Sequence, residues 1–134
     1  MAGYSGKALA DKLGLKSGQR VALLHAPSEF PAALEPMPEG IAFVGAHAGA
    51  VDVALLFSRE AAALEPAFTA TVERLASGGM IWVAWPKKAA RQPTDLTEDV
   101  VRRIGLATGL VDVKVCAVTE VWSGLKFLRR RATR

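Results

Sequence analysis

Cysteine is almost absent from this chain of 134 residues, which contains 1 cysteine, Cys116. A single thiol excludes a disulfide framework within the chain and favours a reducing compartment, so we expect a cytoplasmic protein. Long apolar runs are also missing, because the longest one, residues 41–57, is interrupted by His47 and Asp52. A charge near the middle of a bilayer costs about 2.5–3.5 kcal/mol, so this run predicts core strands and no membrane span. Residues 1–20 lack the apolar segment of a signal peptide.

The common sequence signatures of nucleotide binding and hydrolysis are absent too. The chain has no Walker A motif, no G-x-G-x-x-G and no G-x-S-x-G. His25, His47 and Cys116 lack the spacing of a metal site, and Cys116 has no adjacent base that would activate it as a nucleophile. We therefore expect no metal and no catalytic residue of a recognised class.

The apolar share of the chain is large, at 51% of residues against 22% charged, and the mean hydropathy is +0.22. This length suffices to bury one core, so we expect one domain over residues 1–134. Residues 1–19 are predicted to form an N-terminal helix and lead-in, and residues 129–134 a basic tail. The formal net charge is +4, with an acidic middle between basic ends. No aromatic residues alternate with the tail arginines, so a solvated terminus is favoured and a nucleic-acid partner is not expected.

Three apolar segments have the pattern of strands buried on both faces of a parallel sheet. They cover residues 20–26, 52–57 and 80–85. Residues 41–44 predict a weaker strand, and its place in the sheet stays open because too few residues follow it for an ordinary parallel crossover. Either it runs antiparallel to the next strand, or an extended loop returns across the sheet. Residues 111–118 and 121–128 predict an antiparallel hairpin, since only two residues separate them. Residues 111, 113, 115 and 117 are expected on one apolar face of that hairpin.

Helices are predicted between these strands from polar residues at N-cap positions. These are Ser5, Ser58 and, in a D-x-x-E capping box, Asp95. Pro66 is expected to divide the stretch after Ser58 into two helices. Alternating strands and helices predict an α/β fold. It is a three-layer, Rossmann-like arrangement with a mostly parallel sheet of about six strands, ending in the antiparallel hairpin.

Four segments resemble the class I S-adenosylmethionine-dependent methyltransferases. They are residues 15–21, 52–57, 75–83 and 109–115, similar to that family's lead-in to the first strand, its fourth strand, the turn into its fifth and its closing antiparallel pair. The resemblance implies a cofactor site at a glycine-rich loop after the first strand, with an acidic residue after the second. Here the loop, residues 25–29, has no glycine, and residues 45–47 have no acid. We therefore disfavour S-adenosylmethionine and expect no cofactor.

Five further motifs lie along nearly the whole chain. They are M-A-G-Y-S-G at residues 1–6, V-A-L-L-H-A-P at 21–27, W-V-A-W-P-K-K at 82–88, T-D-L-T-E-D-V-V at 94–101 and V-W-S-G-L-K at 121–126. Together they resemble a family of small uncharacterised bacterial proteins, known mainly as a domain of unknown function. This resemblance implies a small stand-alone domain with a truncated class I methyltransferase-like fold, and it implies no activity.

Candidate site residues come from the rule that ligands bind beyond the carboxyl ends of the strands of an open α/β sheet. Eight residues follow the predicted strands at that edge: His25, Ser28, Glu29, Ser58, Arg59, Trp85, Lys87 and Lys88. The basic side chains, near a predicted helix N-terminus, suit a small anionic ligand such as a phosphate or carboxylate, and Trp85 suits stacking on a flat ring. The alternative is that Ser58 only caps a helix, the charges are solvated and Trp85 belongs to the core.

These residues favour a non-catalytic, methyltransferase-like domain that binds a small anionic ligand or a protein partner. One alternative is an enzyme with a non-standard pocket, in which His25 acts as acid or base. Another is a homo-oligomeric module. In that case Trp122 and an uncovered edge strand at residues 111–118 pair with a second copy.

Overall fold

The computed structural model describes residues 8–45 and 49–129, which form strands, α-helices and two short 3₁₀ helices. The strands are β1 (Arg20–Leu24), β2 (Ala42–Val44), β3 (Val51–Phe57), β4 (Leu75–Pro86), β5 (Val111–Ala117) and β6 (Trp122–Leu128). The α-helices are α1 (Leu9–Leu13), α2 (Ala61–Arg74) and α3 (Glu98–Leu106), and the 3₁₀ helices cover Ala32–Leu34 and Lys88–Ala90.

The strands form one six-stranded sheet in the order β2-β1-β3-β4-β6-β5. β1 pairs in parallel with β2 and β3, and β4 pairs in parallel with β3. β6 runs antiparallel to both of its neighbours, β4 and β5. This confirms the predicted mostly parallel, Rossmann-like sheet that ends in an antiparallel hairpin.

Helices and loops cover both faces of the sheet, as a three-layer fold requires. On one face, α2 and α3 pack around Phe68 and Phe127, whose rings meet edge to face with centroids 5.2 Å apart. On the other face lie α1 and the segment after β1. Trp82 Nε1 donates a hydrogen bond to the Leu13 carbonyl at 2.8 Å, which ties α1 to the sheet. The apolar runs within these strands, residues 21–24 of β1, 53–57 of β3 and 80–85 of β4, follow from burial on both faces.

β2 lies on the outer side of β1, away from β3, which answers the question that the sequence left open. It pairs only with the first residues of β1, with Val44 opposite Ala22. β3 begins at the same end of β1, with Val53 opposite Val21. The short connection over residues 45–50 suffices because the chain returns along only about three residue levels, and the usual crossover of about a dozen residues returns along a whole strand.

Two arginines hold the ends of this connection. Arg74, the last residue of α2, donates from Nη2 to the Gly45 carbonyl at 2.8 Å. Arg20 donates from Nε to the Ala50 carbonyl at 2.8 Å. Three parts of the chain discussed above lie outside the described residues: Ser5, His47 and residues 130–134 of the basic tail.

The start of α2 corrects two predicted helix caps. The helix begins after Glu60, and Ser58 Oγ forms a local turn with the backbone of Glu60, so Ser58 is not its N-cap. Ala61 N–H donates instead to Oδ1 of Asp95 at 2.8 Å. The prediction that Asp95 caps the last helix is also wrong. Thr97 takes that position in α3, and its side chain accepts a backbone N–H of the first turn.

α2 runs through Pro66 without a break, so the predicted division into two helices is wrong. Pro66 lies in the second turn, where its missing N–H removes one hydrogen bond and leaves the following turns intact. Beyond the end of α2, Arg129 donates from its guanidinium to the carbonyls of Val72 and Leu75. The first residue of the predicted solvated tail is therefore part of the fold.

The hairpin of β5 and β6 is confirmed, but its expected apolar face is wrong. The register between the two strands shifts between Asp112 and Lys114. Such a bulge breaks the alternation of side chains between the two faces. Val113 and Val115, expected on an apolar face, are 46% and 43% exposed.

The longest helix of the described residues is α2, with 14 residues. A helix needs about 20 predominantly apolar residues to cross the hydrocarbon core of a bilayer. Within residues 8–45 and 49–129, no helix has the length and apolar character for this.

Candidate functional site

A cleft of about 240 Å³ lies where β1 and β3 end. These two parallel strands are neighbours, and from them the chain continues to opposite sides, to β2 beyond β1 and to β4 beyond β3. Ligands of open α/β sheets bind at such a topological switch point. The cleft is lined by His25, Leu56, Phe57, Ser58, Arg59, Glu60, Ala63, Ala67 and Trp122.

His25 follows the last residue of β1 and has a left-handed backbone, with φ of 58°. Few residues other than glycine adopt this conformation, and histidine is among the types that tolerate it best. It costs a non-glycine residue about 1–2 kcal/mol. The chain thus makes a glycine-like turn at the end of β1 while keeping an exposed imidazole at the cleft.

Arg59, another residue of the cleft lining, is held in place by its neighbours. Its guanidinium carbon lies 5.0 Å from the centre of the Trp122 ring, within the range of a cation–π contact. Its Nη2 donates to Gln92 Oε1 at 2.7 Å, and its carbonyl accepts from Thr94 Oγ1 at 2.6 Å. Because a guanidinium has five N–H donors, Arg59 keeps donors for a ligand after these contacts.

The first turn of α2 is not available to an anion in the way the sequence suggested. The carboxylate of Asp95 already accepts from Ala61 N–H at this helix end. Glu60 adds a second carboxylate at the rim of the cleft. Arg59 is the arginine among the lining residues, and the first N–H of α2 is already bonded within the protein.

The structure brings together three of the eight predicted residues, His25, Ser58 and Arg59. Ser28 and Glu29 are exposed and lie outside the cleft lining. The remaining three are also outside that lining. Trp85 lies near the end of β4, and Lys87 and Lys88 follow this strand.

Trp85 is 6% exposed and packs in the core cluster beneath α2 and α3, so its ring has no free face for stacking. This is the core placement stated above as the alternative. Lys87 donates its backbone N–H to the Val121 carbonyl at 2.7 Å. Lys88 is exposed and begins a 3₁₀ helix.

Trp122 is the lining residue that sequence reasoning placed elsewhere. The homo-oligomer alternative placed it on a dimer surface, but it is 3% exposed and packs edge to face against Phe57, with ring centroids 5.1 Å apart. Its position follows from the hairpin. β6 runs antiparallel to β4, so its first residue pairs with Pro86 at the carboxyl end of β4.

Metal ligands do not cluster in the part of the chain that the structure describes. No group of three or more His, Cys, Asp or Glu residues there is arranged to hold an ion. Cys116 lies in β5, away from the cleft lining, and burial raises the pKa of its thiol. A raised pKa lowers the thiolate fraction on which nucleophilic reactivity depends.

The sequence profile of one protein family matches residues 10–131, almost the whole described chain. That family is described as "Protein of unknown function (DUF3052)". The chain belongs to this family. Among curated protein sequences, none matches the chain significantly.

Solved methyltransferase structures share the fold. N-methyltransferase NodS from Bradyrhizobium japonicum WM9 has a TM-score of 0.62 and 15% identity, with 92% of this chain and 91% of that chain covered. A chain in the complex between the Haloferax volcanii Trm112 methyltransferase activator and the putative methyltransferase has a TM-score of 0.69 and 11% identity, with 92% and 88% covered.

Magnesium protoporphyrin IX methyltransferase (ChlM) from Synechocystis PCC 6803 with bound SAM has a TM-score of 0.65 and 8% identity, with 91% of this chain and 74% of that chain covered. At these identities the likeness concerns the fold alone. The family match confirms the predicted resemblance to a domain of unknown function. The solved structures confirm the predicted Rossmann-like, methyltransferase-like fold.

Proposed function

We propose that this protein is a non-catalytic, methyltransferase-like domain that binds a small organic anion in the cleft between β1 and β3. The observation that carries the proposal is that His25 and Arg59 both line one partly apolar cleft at the topological switch point. Arg59 is pre-positioned by Trp122 and Gln92. A guanidinium held in this way suits a carboxylate, which it binds through paired N–H donors.

The size and charge of the cleft narrow the class of ligand. Its volume of about 240 Å³ lies below the range of roughly 300–1,000 Å³ that drug-sized ligands occupy. The positive charge of Arg59 is balanced at the rim by Glu60, which disfavours ligands with several negative charges. Leu56, Phe57 and Ala63 supply an apolar wall. A monocarboxylate with a small apolar or aromatic body fits these features best.

Three observations support leaving S-adenosylmethionine out of the proposal, because the residues at this site do not fit it. The glycine-rich loop of the methyltransferases lets the backbone approach its ligand closely. Here β1 is followed by His25, whose side chain lines the cleft. The segment that follows His25 contributes buried Phe30 and Leu34 to the core. In addition, the chain has no carboxylate between Gly40 and Asp52 that would hold a ribose.

Calorimetric titration tests the proposal with benzoate, inorganic phosphate, S-adenosylmethionine and S-adenosylhomocysteine as probes. Benzoate is expected to bind, and Arg59→Gln is expected to weaken it by about tenfold or more, since a hydrogen bond to a charged group contributes about 1.5–3 kcal/mol. Arg103→Gln removes the same charge from an exposed position on α3 and is the matched control. Equal effects of the two substitutions contradict the proposal, as does tighter binding of S-adenosylmethionine than of benzoate.

An enzyme with His25 as acid or base is the second candidate, and one observation favours it. Strained, left-handed residues cluster at functional sites, and His25 combines such a backbone with an imidazole at the cleft. Catalysis would require His25→Asn, which keeps the left-handed turn, to abolish turnover while ligand binding persists. If His25→Asn loses ligand binding and the wild type shows no turnover, the result supports the non-catalytic binding domain.

A protein partner, a homodimer through residues 111–118 and a cytoplasmic location stay predictions. The Haloferax volcanii complex joins a putative methyltransferase to its activator, which supports partner binding by a fold of this kind. Light scattering at two protein concentrations tests the homodimer, because a strict monomer at the higher concentration contradicts it.

A further inference from the structure

Two lysines lie side by side in a row across the sheet near its β5 edge. Lys114 on β5 lies opposite Lys126 on β6, and Lys126 lies opposite Trp82 on β4. The Lys126 ammonium is 6.0 Å from the centre of the Trp82 ring. Like charges directly opposite each other destabilise a sheet, so the fold gains nothing from the Lys114–Lys126 pair itself.

The surroundings of this row concentrate positive charge. Burial lowers the pKa of Lys126, and the positive charges of Lys114 and Lys16 lower it further. Lys12, in α1, reaches the same strand and donates to the Ala117 carbonyl at 3.1 Å. In the described part of the chain, none of Lys16, Lys114 and Lys126 forms an ion pair with an acidic side chain.

The strand that carries Lys114 is the last one in the sheet. β5 pairs with β6 on one side only, so the backbone N–H and C=O groups on its other side have no strand partner among the described residues. Val115 pairs with Leu125 of the opposite core cluster, so it lies on the face away from Lys114, and it is 43% exposed. The edge therefore offers backbone groups, lysines on one face and an apolar side chain on the other.

We propose that β5 receives an acidic, extended segment of a partner protein as an additional strand. An added strand lies about 4.8 Å away, with its side chains alternating between the two faces. Acidic residues of the segment would lie beside Lys114, on its side away from Lys126, while the intervening apolar residues would lie beside Val115. Strand addition of this kind takes its affinity from main-chain hydrogen bonds and its specificity from alternate side chains.

A second copy of this chain and a nucleic acid suit the edge less well. Antiparallel pairing of two β5 strands about Lys114 would place the lysines of both copies together. Single-stranded nucleic acids are held largely by stacking of bases on aromatic rings. The aromatic ring of this surface, Trp82, is 1% exposed and has no free face. Charge complementarity therefore favours an acidic peptide.

Fluorescence anisotropy tests the proposal with a labelled peptide of alternating valine and glutamate. Matched peptides replace each glutamate by lysine, or place a proline at the centre to remove a main-chain donor. The wild-type protein is expected to bind the glutamate peptide, and Lys114→Glu is expected to weaken this binding by about five- to tenfold. Lys114→Glu is also expected to bind the lysine peptide better than the wild type does. Circular dichroism checks that the variant is folded.

Lys88→Glu changes the net charge equally at an exposed position outside this edge, so it is expected to leave binding unchanged. A loss equal to that of Lys114→Glu overturns the proposal, because the attraction would then be unspecific. Undiminished binding of the proline peptide overturns strand addition. Tighter binding of single-stranded DNA than of the glutamate peptide overturns the choice of partner. A wild-type dimer that the peptide does not dissociate assigns the edge to a second copy and overturns the proposal as well.

Discussion

Asp95 caps a helix that begins 34 residues before it, because Ala61 N–H donates to Asp95 Oδ1 at 2.8 Å. The same segment holds Arg59, whose carbonyl accepts from Thr94 Oγ1 and from the backbone N–H of Asp95, at 2.6 and 3.2 Å. Residues 92–95 thus connect, through hydrogen bonds, the residues that follow β3 with the start of α2. One wall of the cleft depends on a segment that is remote in sequence.

Asp95→Ala is expected to lower the free energy of unfolding by about 1 kcal/mol, the usual effect of losing an N-cap. It is also expected to weaken benzoate binding, since the segment that positions Arg59 loses an anchor. Urea unfolding and calorimetry measure the two effects. Asp99→Ala is the control, because the Asp99 side chain is 94% exposed and its loss should change stability by no more than about 0.5 kcal/mol. Similar losses in both variants would show that Asp95 is not a cap.

Two substitutions of His25 separate its backbone from its imidazole. His25→Gly relieves the left-handed conformation but adds freedom to the unfolded chain, so its stability should stay within roughly 0.5 kcal/mol of the wild type. His25→Val is expected to lose about 1–2 kcal/mol, because a β-branched residue tolerates φ above zero poorly. Both variants should bind benzoate weakly. Thermal unfolding provides the stability measurement, and full binding by His25→Gly would exclude a role for the imidazole.

Gly105→Ala tests the contact between α3 and β6. Alanine is intrinsically favoured over glycine in a helix by about 1 kcal/mol, but here its Cβ would lie 2.1 Å from Phe127 Cε2. Overpacking is expected to dominate and to destabilise the protein by about 1–3 kcal/mol. Gly45→Ala has open space around its Cβ and should be nearly neutral. A Gly105→Ala variant as stable as the wild type in urea would contradict this packing.

Asp112 predicts a pH dependence of stability. Arg102 Nε donates to Asp112 Oδ2 at 2.8 Å, and this hydrogen bond lowers the pKa of the carboxyl below its usual value. A lowered folded-state pKa contributes stability above the unfolded pKa, and the contribution disappears as the pH falls through the folded value. Asp112→Asn should therefore melt below the wild type at pH 7, and the difference should shrink as the pH falls below about 4.

Melting curves of both proteins between pH 7 and pH 2 measure this. Glu65→Gln removes a carboxylate from an exposed position of α2 and serves as the control. A difference between Asp112→Asn and the wild type that stays constant over this range would mean that the ion pair contributes nothing.

The strands of this fold were predictable because burial on both faces leaves a local signal. β1, β3 and β4 contain the apolar runs 21–24, 53–57 and 80–85. Only two residues separate segments 111–118 and 121–128, which left a hairpin as the simplest connection. The bulge near Val113 left no such signal, since a register shift depends on how two backbones meet. The cap of α2 could not be predicted either. The spacing of Asp95 and Glu98 indicated that Asp95 caps the helix that follows it in the sequence, whereas Asp95 caps α2.

The candidate site was predictable only where the geometry of parallel strands determines it. His25, Ser58 and Arg59 follow two neighbouring parallel strands, so their carboxyl ends meet at one edge. Trp85 lies next to the last residue of β4, at the same edge of the sheet. The sequence does not show against which face of the sheet its ring packs. Trp122 was not predicted as a cleft residue because the rule for parallel strands concerns their last residues, whereas an antiparallel strand brings its first residue to that edge.

The six residues that join β2 to β3 act as a tether that fixes where β2 can sit. Ala42 and Phe43 are exposed, so their side chains specify the strand register only weakly. A connection of this length reaches about 20 Å, which leaves little slack for β2 to slide outward along β1. An insertion between residues 45 and 50 would lengthen the tether. We then expect β2 to shift its register along β1, although every side chain of β2 would be unchanged.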